Sequence, residues 1–202
     1  NRTAVINPIT LLSLVLLSTP NHAIDENVLV QQLNLYKKIA EQLPYDSLIE
    51  MTPLNGAGIV AYGVQLKAIQ RVKHPLGDLI CVAENQAVFL TYFRNNILHL
   101  FILPSLVACL MQHNGQLQRE QMVSVIASLY PYLQSELFLP WDLAEIEGLV
   151  NQHIDALIDA QLLTSHEETI ISPQPNTEAY AQLVILGEAV KETLERYYMT
   201  TS

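Results

Sequence analysis

Charge is scarce in this 202-residue chain, and positive charge is scarcer. Charged residues make up 15% of it, with 10 Lys and Arg against 20 Asp and Glu, for a formal net charge of −10. Nucleic-acid binding depends on cations that neutralise phosphates, so this balance argues against it. It argues equally against broad electrostatic docking on anionic lipid. Glycine is low, at 7 residues, while Leu, Ala and Gln are plentiful. That mixture favours helix over an all-β fold. The two cysteines, Cys81 and Cys109, lie in apolar surroundings without CxxC spacing. They read as buried thiols of a reducing compartment and not as a disulfide framework. No run reaches the roughly 18 apolar residues expected of a membrane-spanning helix. Residues 97–111 come closest, but His99, Pro104 and Ser105 interrupt them, which points to a buried or interfacial helix. Neither an internal repeat nor a low-complexity segment is visible.

Apolar residues are abundant, at 50%. A chain of this length can bury about 70% of its unfolded surface, enough for one large domain or two small ones. Such high apolar content with so little charge also suggests surface meant to be covered by something else. The expected fold class is mainly α: a helical domain with two short β-hairpins, possible sub-units being 1–84 and 85–202. Residues 3–18 read as an apolar helix ended by Pro20. Arg2, the apolar run 9–17 and Asn21-His22-Ala23 imitate a secretory signal. The missing initiator Met favours instead a start inside a longer protein. Asp25 is the expected N-cap of a helix over 26–43, with Val28, Leu29, Leu33, Tyr36 and Ile39 at helical spacing. Pro44 should stop it, and 45–53 should form a loop. Residues 56–70 predict a weaker, glycine-bearing helix.

Two strands, 69–74 and 79–83, flank the turn Pro75-Leu76-Gly77-Asp78. Helix should resume near Asn85 and reach His113, kinked or split at Pro104. Asn114-Gly115 is a break. Residues 118–130 predict another helix, bent at Pro131 into 132–138. Asp142 with Glu145 has capping-box spacing for a helix with an apolar stripe of Leu143, Ile146, Val150, Ile154, Leu157 and Ile158. Residues 162–164 and 169–171 could pair around 165–168. Asn176 or Thr177 should cap a last helix to about Tyr198. A helix followed by a hairpin, as near 56–84 and 142–172, is how winged-helix domains end. Such units are plausible here as geometry only. The stretch from Trp141 to Glu168 carries seven carboxylates and no Lys or Arg to reach a phosphate.

Chemistry-bearing residues are sparse. His153, Asp155 and Asp159 share one predicted helix, but His153 and Asp159 lack the i,i+4 spacing of a metal pair, so a solvated acidic face is the plainer reading. Ser105 follows Pro104 with no Gly-x-Ser-x-Gly elbow to present it. Its hydroxyl should bond back into the helix. The unusual feature is Tyr92, Arg94, Asn95, Asn96 and His99, a polar cluster opening a long apolar run. Asn95 and His99 are i,i+4 neighbours, with Tyr92 one turn before. Such a cluster is either a buried polar network that fixes helix packing, the plainer reading, or a surface that braces another domain.

The stretch Leu90-Thr91-Tyr92-Phe93-Arg94-Asn95-Asn96-Ile97-Leu98-His99, followed by Leu103-Pro104-Ser105-Leu106, resembles the C-terminal region of the membrane-associated bacterial glycerol-3-phosphate acyltransferases. Further matches follow in order through Gly77-Asp78, Glu84-Asn85-Gln86-Ala87-Val88, Leu129-Tyr130-Pro131, Trp141-Asp142 and Glu192-Thr193-Leu194-Glu195-Arg196-Tyr197, so the resemblance spans most of the chain. It implies a parent enzyme that acylates the first hydroxyl of glycerol 3-phosphate from a thioester of coenzyme A or acyl carrier protein. That reaction opens phospholipid synthesis at the cytoplasmic face of the bacterial inner membrane. The family's catalytic signature is a His, four residues, then an Asp. The residues five places after the six histidines are Asn27, Leu79, Pro104, Gln118, Ile158 and Ile171. His74 and Asp78 approach the pattern with one residue too few.

The expectation is therefore a non-catalytic C-terminal scaffolding part, inactive alone. Its catalytic domain would be N-terminal and absent, its catalytic and metal residues none, and its cofactors none. Its expected partners are that catalytic domain and, for the parent, a membrane lipid surface, with no nucleic acid. The candidate interface is Tyr92, Arg94, Asn95, Asn96 and His99. The alternatives are a stand-alone helical interaction or membrane-peripheral module and, against the charge, a winged-helix transcription factor.

Overall fold

The computed structural model describes residues 5–42 and 50–201. The expected stop at Pro44, most of the 45–53 loop, and the signal-like Arg2 lie outside the described residues. The chain divides into two compact units, 1–100 and 101–202. The division falls within a long helix, not before it.

The first unit opens with β1 (Val5–Ile6), then α1 (Pro8–Leu17). The helix starts at Pro8, with β1 in the preceding stretch that the apolar run assigns to helix. Asn7 caps it, accepting from the Thr10 amide at 2.9 Å, and Pro8 takes the first helical position, where its missing N–H costs nothing. Residues Ile9 to Leu16 are buried, so the signal-like run is a core helix. After a 3-10 turn at Pro20–His22 come β2 (Ala23–Asp25) and α2 (Glu26–Gln42). Asp25 caps α2 as expected, its Oδ1 accepting from the Asn27 amide at 2.8 Å. Then follow β3 (Glu50–Met51), which pairs parallel with β1, and α3 (Gly56–Gln65), β4 (Ile69–Val72) and β5 (Leu79–Val82). The antiparallel sheet runs β2-β5-β4 with Ile24 opposite Ile80, both at the core. Helices α1, α2 and α3 pack on one another.

The helix α4 (Ala87–Asn114) carries the chain into the second unit. It runs unbroken through Pro104, so the expected split does not occur. By length and composition it could cross a membrane, but 61% of its apolar window is buried within the protein. The second unit adds β6 (Gln116–Gln118), α5 (Arg119–Leu137), α6 (Leu143–Asp159), β7 (Thr164–His166), β8 (Thr169–Ile171) and α7 (Glu178–Thr201). Pro131 sits inside α5 without ending it. The Glu145 carboxylate accepts from the Asp142 amide at 2.8 Å, as the capping box requires. Thr177 Oγ1 accepts from the Tyr180 amide at 3.2 Å and caps α7. The hairpin is tighter than expected: Glu167, at φ 54°, lets the turn close on Glu167-Glu168, which frees Leu162 and Leu163 to enter the core.

Both units follow one plan: helix, strand, two helices, hairpin. That is the winged-helix order. The second sheet runs β6-β8-β7, with Leu117 opposite Ile170. The likeness extends to single hydrogen bonds. The first amide of α2, at Glu26, donates to the Asp78 carbonyl at 2.9 Å, and the first amide of α5, at Arg119, donates to the Glu168 carbonyl at 2.9 Å. Past α3, Lys67 turns left-handed (φ 56°) and Ala68 N–H bonds the Gly63 carbonyl. Past α6, Gln161 does so (φ 62°) and Leu162 N–H bonds the Leu157 carbonyl. No repeat is visible in the sequence; what the two units share is element order and these backbone hydrogen bonds, not side chains.

Candidate functional site

The polar cluster lies on the first turns of α4, within the first unit. Tyr92, Asn95 and Asn96 are exposed, Tyr92 at 66%. Exposure extends N-terminally to Val88 (84%) and Phe89 (40%). Positions 88, 92, 95, 96 and 99 follow helical spacing, so they share one face. The opposite face supplies buried Leu90, Ile97 and Leu98. A monomer rarely exposes neighbouring aromatic and branched side chains on one helix turn after turn. Phe89 and Phe93 stack edge to face at 4.7 Å and Tyr92 meets Phe93 at 5.4 Å, which holds the aromatic end in one shape. The Arg94 guanidinium donates to Asn95 Oδ1 at 3.2 and 3.3 Å. His99 is half-buried, and burial holds its pKa below the ordinary histidine value. Sequence reasoning found the polar members but missed Val88 and Phe89. Their i,i+4 relation to Tyr92 and Phe93 was the available signal.

The other chemistry-bearing residues are dispersed. Asp78 receives Lys73 Nζ at 2.6 Å, while His74 Nδ1 accepts from the Leu76 amide at 3.2 Å in the same turn, so the carboxylate does not orient the ring. His153 is 6% exposed, and burial pushes its pKa down to about 4. Its neighbour Asp155 pairs outward with Arg119 at 2.7 Å. Ser105 is fully buried, and its Oγ has no hydrogen-bond partner, so the expected back-bond into the helix is not made. Cys81 and Cys109 are free and half-buried, not fully buried as expected; burial raises the Cys109 thiol's pKa. Among the described residues no three His, Cys, Asp or Glu side chains converge as metal ligands do.

The second unit contains a groove of about 550 Å³ between α5 and α6. Its floor includes Val123, Ala127, Leu143 and Ala144. Leu143 was expected on the buried stripe and is 54% exposed there. A smaller cleft of about 350 Å³ lies among α4, α5 and α7, near Cys109 and Tyr198.

The chain is thus a mainly helical protein of two winged-helix-like units, each with its third helix devoid of Lys and Arg, with one exposed aromatic and amide stripe. The family follows from comparison with known proteins. The model of the glycerol-3-phosphate acyltransferase C-terminal region matches residues 1–202, and the chain belongs to that family. The chain is similar to the glycerol-3-phosphate acyltransferase of Pseudomonas paraeruginosa, 38% identical over 199 residues, covering 98% of this chain and 24% of that protein. The Xylella fastidiosa enzyme is 38% identical over 206 residues, and that of Pseudomonas fluorescens 34% over 202, each matched along 24% of its length. The chain thus spans about a quarter of the length of the curated relatives it matches.

Proposed function

We propose that this chain is the non-catalytic scaffolding part of a glycerol-3-phosphate 1-O-acyltransferase, acting at the cytoplasmic face of the bacterial inner membrane in phospholipid synthesis. The observation that carries the reading is the match of the whole chain to the C-terminal region of that enzyme, together with only 24% coverage of the relatives. In this reading the acyl transfer belongs to the remaining, N-terminal part. The stripe of Val88, Phe89, Tyr92, Asn95 and Asn96 is the surface that part covers. Buried aromatic anchors ringed by amides are the usual energetic centres of such interfaces. Arg94 and His99 flank the stripe and fix its edge.

The test is direct. The chain supplied with acyl-CoA and glycerol 3-phosphate turns over no substrate, whereas the separately expressed catalytic part binds it in calorimetry. Tyr92→Ala weakens that binding by at least tenfold, a typical loss for a central tyrosine. Turnover by the chain alone would refute the division of labour, and failure to bind would refute the docking role.

A further inference from the structure

We infer that the groove between α5 and α6 seats a cationic amphipathic helix from the remaining part of the parent enzyme. The inference rests on the reading of this chain as the C-terminal part of a longer acyltransferase. Three observations carry it. The first is construction. Aligned by their left-handed ends, α3 begins at Gly56 where α6 has Val150, so the roughly two turns from Leu143 to Leu149 have no counterpart in the first unit. That extension supplies Leu143, Ala144 and Glu147 to the groove. The groove is an addition to the shared plan.

The second observation is charge. Glu120, Glu147 and Glu168 line the groove, all exposed, and no side-chain ion pair holds them among the described residues. The one cation lining it, Arg119, is committed, with Nη2 on Asp155 at 2.7 Å and Nη1 on Asn151 at 3.3 Å. Three free carboxylates repel phosphates of nucleic acid or lipid and select Lys or Arg. The third is the floor: Val123, Ala127, Leu143 and Ala144 leave apolar surface that a purely polar cation would not cover. A helix with basic residues beside an apolar anchor satisfies rim and floor together, and two flanking helices form the cradle such a helix uses. In the relatives about three quarters of the length lies outside the matched region, ample sequence to supply such a helix.

The test uses the whole 202-residue chain, the separately expressed catalytic part, and a synthetic Lys/Leu helical peptide with leucines at i,i+3 and i,i+4. An isosteric triple variant, Glu120→Gln with Glu147→Gln and Glu168→Gln, is confirmed folded by its melting curve. The wild-type chain is expected to bind the peptide with affinity that falls as salt rises. The triple variant should lose at least tenfold for both peptide and catalytic part and lose most of the salt dependence, while Tyr92→Ala leaves peptide binding unchanged. Equal binding of the catalytic part by wild type and triple variant overturns the inference and leaves the proposed function standing. No binding of the catalytic part by wild type overturns the proposed function, and a peptide still bound under that condition assigns the groove to a separate basic partner.

Discussion

In the first unit the third helix begins at Gly56, where a Cβ would collide with the Val30 carbonyl, and passes α1 at Gly63, where a Cβ would strike Leu12. At the corresponding places in the second unit stand Val150 and Leu157, both fully buried. One frame is therefore filled in two ways. The first unit brings backbones close by omitting side chains. The second fills the same layer with branched ones and has room for a longer α6. Close approach leaves the first unit a smooth third helix with no charge, and its exposed chemistry appears on α4. The longer α6 gives the second unit a groove.

The comparison can be broken at several depths. The largest effects are expected where the units are most alike. Ile80→Ala and Ile170→Ala remove equivalent strand residues, both fully buried. Each should cost about 2–5 kcal/mol in chemical denaturation. A marked inequality between them would show that the two sheets are not equivalent supports.

Next is His153, which stands where the first unit has Ile59 when counted back from the helix ends. Its folded pKa of about 4 lies below the ordinary 6.5, so the unfolded chain takes the proton first. Stability should therefore be full above pH 6.5 and fall between about 6.5 and 4, by on the order of 3 kcal/mol. His153→Leu should abolish that segment of the pH–stability curve. A curve unchanged by the substitution would place the acid sensitivity elsewhere.

The glycines come third. Gly56→Ala should destabilise by about 1–3 kcal/mol through overpacking against a backbone that cannot yield. Gly148, on the extension of α6, has nothing within 4 Å of its Cβ position. There Ala should stabilise by about 0.4–1 kcal/mol, since the unfolded chain loses freedom. Melting temperatures shifting in opposite directions is the expected signature. The smallest effect concerns the ion pairs at the start of the second helices, Arg71 with Glu26 at 2.6 Å and Arg119 with Asp155 at 2.7 Å. Both are partly exposed, so Glu26→Gln and Asp155→Asn should each cost about 0.2–1 kcal/mol, shrinking with added salt.

The helices were legible in the sequence because their periodicity, caps and breakers agree. Asp25, Asp142 with Glu145, Thr177 and Gly115 mark ends that the fold uses. The third strand of each three-stranded sheet was not legible. Ala23–Asp25 and Gln116–Gln118 are three residues long, too short for alternation to register, and they exist because Ile80 and Ile170 offer them a partner. Both prolines lie inside continuous helices; the helix runs on past Pro131 as expected, and at Pro104 it does not split, because packing along the rest of the helix outweighs one lost hydrogen bond. The shared plan of the two units was not legible because Ile59 and His153, or Gly63 and Leu157, hold matching places without sharing chemistry. Of the stripe on α4, the polar residues stood out by being rare in an apolar run, whereas Val88 and Phe89 are ordinary core residues until burial is known. The groove was hidden for the same reason: Leu143 completes a stripe on paper and faces solvent in the fold.

The unequal wings have a practical corollary. Glu167-Glu168 is a two-residue link between paired strands, so an insertion or deletion there would shift the register of the second hairpin, while a side-chain substitution would not. In the first hairpin Leu76 protrudes at 91% exposure from a longer bend. A fluorophore or affinity handle attached at Leu76 would report on the molecule from a spot that neither the stripe nor the groove occupies.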